Sequence, residues 1–126
     1  MLKVRDIMTT RVATIQGSEP VAAAVAVMKK NKLRDLVVEP RSKEDAYGIV
    51  TEADIVYKVA AYGKDPHELY VHEIMTKPCI VVNPNLSVEH VARLFTAHRI
   101  RRAPVIRDRL LGVVSVTDIM RQAMWW

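Results

Sequence analysis

A chain of 126 residues, half of them apolar and with a net charge of +5, has room for one soluble domain or two very small ones, and its apolar content excludes intrinsic disorder. Its longest apolar run, Pro20 to Met28, is roughly half of the ~20 residues that a bilayer crossing needs, so no membrane span is expected. A single cysteine and the lack of any Cys or His pair at zinc-ligand spacing exclude an internal disulfide and a structural metal.

The chain opens with VRDIMT (Val4 to Thr9), where charge at Lys3, Arg5 and Asp6 argues against a secretory signal and for a cytoplasmic protein. A short helical turn is expected there, then a small extended piece at Ala13 to Ile15. Ser18, Glu19 and Pro20 form a helix start, and Val21, Ala24, Val25 and Met28 recur at helical spacing as a core stripe. Two β-rich runs follow, Leu36 to Glu39 and Tyr47 to Val50, separated by the charged turn PRSKEDAY. A helix from about Glu52 to Ala61 ends this unit, and Gly63 with Asp65 and Pro66 marks a stop and a turn.

From Val71 the chain repeats itself. VHEIMT (Val71 to Thr76) matches VRDIMT, and the same spacing pairs Val21 with Val88, Arg34 with Arg101 and Val38 with Val105. Extra residues within PRSKEDAY shorten the spacing afterwards, so that GIVTEADI (Gly48 to Ile55) matches GVVSVTDI (Gly112 to Ile119). The second copy is expected to hold an extended piece at Ile80 to Val82 and a helix capped by Ser87, with Val88, Val91, Ala92 and Phe95 as its stripe. Strands at Ala103 to Ile106 and Leu110 to Val114 and a helix from Val116 to Met124 complete it. The expected organisation is a first repeat over 1–63, a linker over 64–70 and a second repeat over 71–126. Each repeat runs strand, helix, strand, strand, helix, giving a mixed α/β fold. A unit of ~50 residues alone buries little surface, so the copies should share a core.

Both copies end their last strand with a glycine, two aliphatics, a hydroxyl residue, two variable positions and an aspartate: Gly48, Thr51, Asp54 and Gly112, Ser115, Asp118. A helix-capping role is one reading. Asp is shorter than the usual Glu partner, however, and is expected to reach back less readily and to point away from the helix. Free N–H groups at a helix start favour an anion such as phosphate, and an acceptor-only carboxylate beside them can take hydrogen bonds from a diol. The two preferences together describe a ribose phosphate.

With these endings, each preceded by an IMT opening, the chain resembles tandem CBS domains, named after cystathionine β-synthase and also called a Bateman module. The resemblance covers nearly the whole chain. It implies two pseudo-symmetric repeats packed sheet to sheet, with clefts that hold adenosine compounds: AMP, ADP, ATP or S-adenosylmethionine. It also implies that Thr51 and Asp54 serve one cleft and Ser115, Thr117 and Asp118 the other, the Asp on ribose hydroxyls. Phosphates would meet Arg34 in the first repeat and Arg101 or Arg102 in the second. Adenine would lie against Ala13 and Val37, or against Ile80, Ala103 and Pro104. Asp35, and Leu36-Val37 in place of a proline, depart from the common pattern and weaken the first site more than the second.

The function expected is therefore a regulatory adenine-nucleotide sensor with no catalytic residue, no required cofactor and no metal. It would signal to an effector protein or through its oligomer state. His67, His72, His90 and His98 are scattered without nucleophile or metal spacing, and no Gly-rich phosphate loop is present. Nucleic-acid binding is an alternative, since six arginines from Arg93 to Arg109 face only Asp108. Few aromatics are available to stack on bases, which makes that reading the weaker one. A ligand-free interaction scaffold is the other alternative. A homodimer is expected, both from the resemblance and from apolar Met124, Trp125 and Trp126 at the end of the chain. Cys79 is expected to be inert packing.

Overall fold

A computed structural model describes residues 1–124. Five α-helices and two small sheets follow one another as α1 (Val4–Ile7), β1 (Thr14–Ile15), α2 (Val21–Asn31), β2 (Asp35–Val38), β3 (Gly48–Thr51), α3 (Glu52–Lys58), α4 (Val88–His98), β4 (Arg102–Arg107), β5 (Arg109–Ser115) and α5 (Val116–Ala123). Short 3₁₀ turns occupy Ala60–Tyr62 and Val71–Glu73. The pair Trp125 and Trp126, invoked above for dimer formation, lies outside the described residues.

The chain divides into two units, one of residues 13–79 and one joining residues 1–12 to the chain from Ile80 onward. These units cut the chain at other places than the sequence repeats do. The opening VRDIMT belongs with the second repeat's elements, and VHEIMT with the first's. Burial explains the arrangement: Val4 and Ile7 join a core of Val82, Val88, Val91, Phe95, Ala103, Val105 and Val114. Val71 and Ile74 fill the matching places beside Val21, Ala24, Met28, Leu36, Val38 and Val50.

In the unit of residues 13–79 the sheet order is β1-β2-β3, with β1 parallel to β2 and β2 antiparallel to β3. Strand alternation sends Leu36 and Val38 to the core and Val37 to the other face. Among its described residues the second unit has the β4-β5 hairpin as its sheet, turned at Asp108 with φ 64. The extended piece expected at Ile80 to Val82 contracts to one parallel bridge, Val82 to Val105. That bridge is the counterpart of the Ile15 to Val38 pair in the first unit.

Helix α2 starts just after the expected segment, with Pro20 in the N-cap position and no side-chain cap bond. Backbone carbonyls take over instead, with Leu69 O accepting from Val21 N–H at 2.7 Å and Pro66 O from Ala22 N–H at 2.9 Å. These bonds satisfy donors that a helix start otherwise leaves orphaned. In α4 the expected cap is present, Ser87 Oγ accepting from His90 N–H at 3.2 Å. Both long helices end on a left-handed residue that is not glycine, Lys32 (φ 54) and Arg99 (φ 53). Leu33 N–H and Ile100 N–H then close back onto Met28 O and Phe95 O.

Candidate ligand-binding site

The two Gly-aliphatic-aliphatic-hydroxyl-x-x-Asp segments each run from a strand into a helix, and the glycine has a steric role. A Cβ on Gly112 would lie 2.5 Å from Thr9 O, and one on Gly48 would lie 3.2 Å from Thr76 O. Those carbonyls belong to the IMT openings, which bridge to the strands through Val113 and Ile49: Thr9 N–H donates to Val113 O at 2.9 Å and Thr76 N–H to Ile49 O at 2.9 Å. Glycine therefore lets the opening segment come close to the end of the strand.

Next come the caps. Thr51 is extended (φ -119, ψ 163), and so is Ser115 (φ -132, ψ 165). Thr51 Oγ1 accepts from Asp54 N–H at 3.1 Å, while Asp54 Oδ2 accepts from Thr51 N–H at 2.9 Å and from its hydroxyl at 3.1 Å. Ser115 and Asp118 repeat the pattern at 3.1, 2.9 and 3.0 Å. This corrects the expectation that the short Asp would turn away from the helix: the extended cap residue brings its own N–H within an aspartate's reach, and both carboxylates complete reciprocal capping boxes. One oxygen of each, Oδ1, is left to face other groups.

Those groups differ. Asp118 Oδ1 accepts from the Thr9 hydroxyl at a long 3.3 Å. Asp54 Oδ1 instead lies 3.2 Å from Lys58 Nζ, one helical turn further along α3. Sequence reasoning passed over Thr9 and Lys58. The recurrent IMT before each glycine was the available signal for Thr9, whereas Lys58 matches Gln122 in the other copy and carries no motif.

Around each capping box the other candidate residues fall as follows. Arg34 O accepts from Glu52 N–H at 3.0 Å and Arg101 O from Val116 N–H at 2.8 Å, so both exposed arginines flank the start of a closing helix. Across the strand pairs, Asp35 stands opposite Thr51 and Arg102, half-buried, opposite Ser115. Directly opposed residues share a sheet face, so a carboxylate accompanies the first hydroxyl and a guanidinium the second. Thr117 is half-buried in the first turn of α5. Ala13 O accepts from Val37 N–H at 3.1 Å, which joins these two residues in the unit of Asp54. Ile80, Ala103 and Pro104 belong to the unit of Asp118. Ala103 is packed in that unit's core, and Pro104 is buried on the opposite face of β4.

Burial pushes the Cys79 thiol up to about 11, so it is protonated at neutral pH. Asp45, in the charged turn that is longer in the first copy, is held well below the usual carboxylate range by the Arg41 backbone N–H and by Lys77. Its Oδ2 accepts from them at 2.8 and 2.7 Å. Among the described residues no three His, Cys, Asp or Glu side chains gather as a metal site, and no helix is long and apolar enough to cross a membrane.

The arrangement offers two carboxylate oxygens, each fixed by a capping box, beside exposed arginines. That is acceptor chemistry for hydroxyl donors and cation chemistry for an anion. Comparison with known proteins places the chain in a family. The family model "CBS domain" matches residues 4–61 and 71–124. A CBS domain-containing protein of Bacillus subtilis, YhcV, is 32% identical over 120 residues, covering 94% of this chain and 84% of that protein. Among solved structures, a hexameric CBS-CP12 protein from bloom-forming cyanobacteria superposes with a TM-score of 0.95 at 60% identity, covering 98% of this chain and 72% of that one. The CBS domain pair of protein MJ0100, solved with 5'-methylthioadenosine and S-adenosylmethionine, gives 0.80 at 27% identity, covering 96% and 94%. With two family matches that span nearly all of its length and the paired strand-to-helix capping boxes that the repeats share, the chain belongs to the CBS-domain family as a tandem pair.

Proposed function

We propose that this CBS pair is a regulatory module that binds an adenosine-containing compound and has no catalysis of its own. The observation that carries the reading is the Asp118 carboxylate: its Oδ2 is used twice in the cap, while among the described residues its Oδ1 has one long hydroxyl contact. A ribose diol is the kind of donor pair that such an oxygen accepts. Arg101 and Arg102 next to it suit a phosphate, so AMP, ADP or ATP fits this end better than a bare nucleoside. S-adenosylmethionine stays within the same reading, because the neighbour MJ0100 was solved with it. The residues proposed to take part are Ile80, Arg101, Arg102, Ala103, Pro104, Ser115, Thr117 and Asp118, with Ala13, Arg34, Val37, Thr51 and Asp54 as a weaker set.

The module would act in the cytoplasm and pass its signal through a partner protein or through self-association. Support for self-association comes from α5, where Val116 and Met120, four residues apart, are 36% and 54% exposed, with Met124 at the end of the helix 46% exposed, and from the hexameric state named for the cyanobacterial neighbour.

Calorimetry with AMP and ATP on the wild type, Asp54→Ala and Asp118→Ala tests the ligand reading. A charge-assisted hydrogen bond contributes roughly 1.5 to 3 kcal/mol, so the Asp118 site should bind a phosphorylated ligand at least about tenfold more tightly. Loss of the tight phase in Asp54→Ala with its retention in Asp118→Ala would reverse the assignment. A flat response of the wild type to every adenosine compound would leave the interaction scaffold as the better reading.

A further inference from the structure

The two repeats can be compared position by position at the ends of their closing helices. Lys58 in α3 corresponds to Gln122 in α5, and each side chain does the same structural task. Lys58 Nζ donates to Ile74 O at 2.8 Å, and Gln122 Nε2 donates to Ile7 O at 3.1 Å. Both carbonyls come from the isoleucine of an IMT opening, so each latches an opening segment to a closing helix.

The latches differ in charge. Lys58 Nζ also lies 3.2 Å from Asp54 Oδ1, with the two side chains 47% and 16% exposed. Gln122 brings no charge to Asp118, whose Oδ1 meets, among the described residues, the Thr9 hydroxyl at 3.3 Å. Asp54 thus has both oxygens engaged, Oδ2 by the cap and Oδ1 by an ammonium, whereas Asp118 keeps one oxygen weakly engaged.

We propose that Lys58 is a specificity-determining residue that acts as a resident counter-ion on Asp54, lowers that carboxylate's capacity to accept a ribose diol, and so directs adenosine ligands to Asp118. The proposal deepens the adenosine-binding reading above and rests on it. To accept a diol at Oδ1, Asp54 must give up or share its ion pair. A partly exposed ion pair is a modest contributor, so its displacement costs a factor of about three to five in affinity. The latch itself is a separate matter, because glutamine makes the same bond to the carbonyl in the other repeat.

That separation supplies the test. Lys58→Gln keeps a donor for Ile74 O and removes the charge, and Gln122→Lys adds an ammonium four residues from Asp118, where a helical (i, i+4) pair can form. Adenosine is the probe, since it has ribose hydroxyls and no phosphate to be attracted by the ammonium. In an Asp118→Ala background, which isolates Asp54, Lys58→Gln should tighten adenosine binding about three- to fivefold. In an Asp54→Ala background, Gln122→Lys should weaken it by a similar factor. Unchanged or weaker binding on Lys58→Gln in the Asp118→Ala background, with adenosine still bound by the Asp54→Ala chain, overturns the role of Lys58 and leaves the ligand reading standing. Absence of adenosine binding by the wild-type chain, or equal binding by the Asp54→Ala/Asp118→Ala double variant, overturns the ligand reading itself and this inference with it.

Discussion

Replacing Gly112 by alanine should damage the unit that carries Asp118 more than the matching change at Gly48 damages the other. Gly112 does not have a left-handed φ, so backbone conformation is not at issue and the effect is steric. The new Cβ would lie 2.5 Å from Thr9 O and 3.2 Å from Met8 Sδ. Carbon and oxygen ordinarily approach to about 3.3 Å, so the Thr9 backbone must retreat by about 0.8 Å. It is held there by reciprocal bonds to Val113 at 2.9 and 3.0 Å. Overpacking of this kind typically costs 1 to 3 kcal/mol, and the immovable backbone partner argues for about 3. At Gly48 the nearest atom is Met75 Sδ at 3.1 Å, the end of a flexible side chain, with Thr76 O at 3.2 Å, so the cost there should be about 1 kcal/mol. For a chain this size these costs correspond to falls in Tm of roughly 10 °C and 4 °C. Thermal melts of the two variants read the difference directly. A Gly112→Ala protein that melts within about 2 °C of wild type, or a Gly48→Ala protein that loses more, would refute the close-approach argument.

Three further outcomes follow from other parts of the molecule. Lys32→Gly and Arg99→Gly should each raise stability by about 1 kcal/mol, because both residues hold left-handed conformations that cost an ordinary residue about that much; a chemical melt with no gain in either variant would count against it. Cys79, at about 11, should react with a thiol reagent at pH 8 about a hundredfold more slowly than an exposed cysteine and at the ordinary rate in denaturant. Because its folded value is raised, the stability tied to its neutral form is intact below about pH 9 and is lost as pH rises through 11, and fast labelling of the native protein would contradict this. Met120→Glu, at the centre of the exposed α5 stripe, should lower the mass seen by sedimentation if that stripe joins copies of the chain, and an unchanged mass would remove α5 from the interface.

The order of elements was legible because it follows from periodicity. Val21, Ala24 and Met28, or Val88, Val91 and Phe95, can only be a helix face, and the structure buries them as one. Which residues share a core was less legible. One core shared by both copies was expected, yet the buried residues form two clusters, with Val4 and Ile7 in the second copy's and Val71 and Ile74 in the first's. Nothing in a linear pattern distinguishes the two pairings, since the openings are interchangeable: VRDIM and VHEIM carry the same apolar positions. Local chemistry was less legible. At the start of α2 the carbonyls of Leu69 and Pro66 do the capping, which no local pattern shows. The aspartates were misread, because their reach depends on the extended conformation of Thr51 and Ser115.

That last correction changes how the motif should be understood. Capping and ligand binding were weighed as competing explanations of one aspartate, but a carboxylate has two oxygens and the geometry divides them. Oδ2 closes the capping box, which fixes the side chain and the start of the helix. On the proposed ligand reading, fixing the side chain would favour Oδ1 as an acceptor, since a group already held in place loses less conformational freedom on meeting a ligand than a mobile one would. The glycine three residues before the cap belongs to the same logic: it admits the opening segment whose Thr9 hydroxyl lies 3.3 Å from Asp118 Oδ1. What varies between the copies is then the occupant of Oδ1, a hydroxyl at Asp118 and an ammonium at Asp54. On the proposed ligand reading, two copies of one scaffold would diverge in affinity through a single position four residues beyond the motif, with the capping box of each left intact.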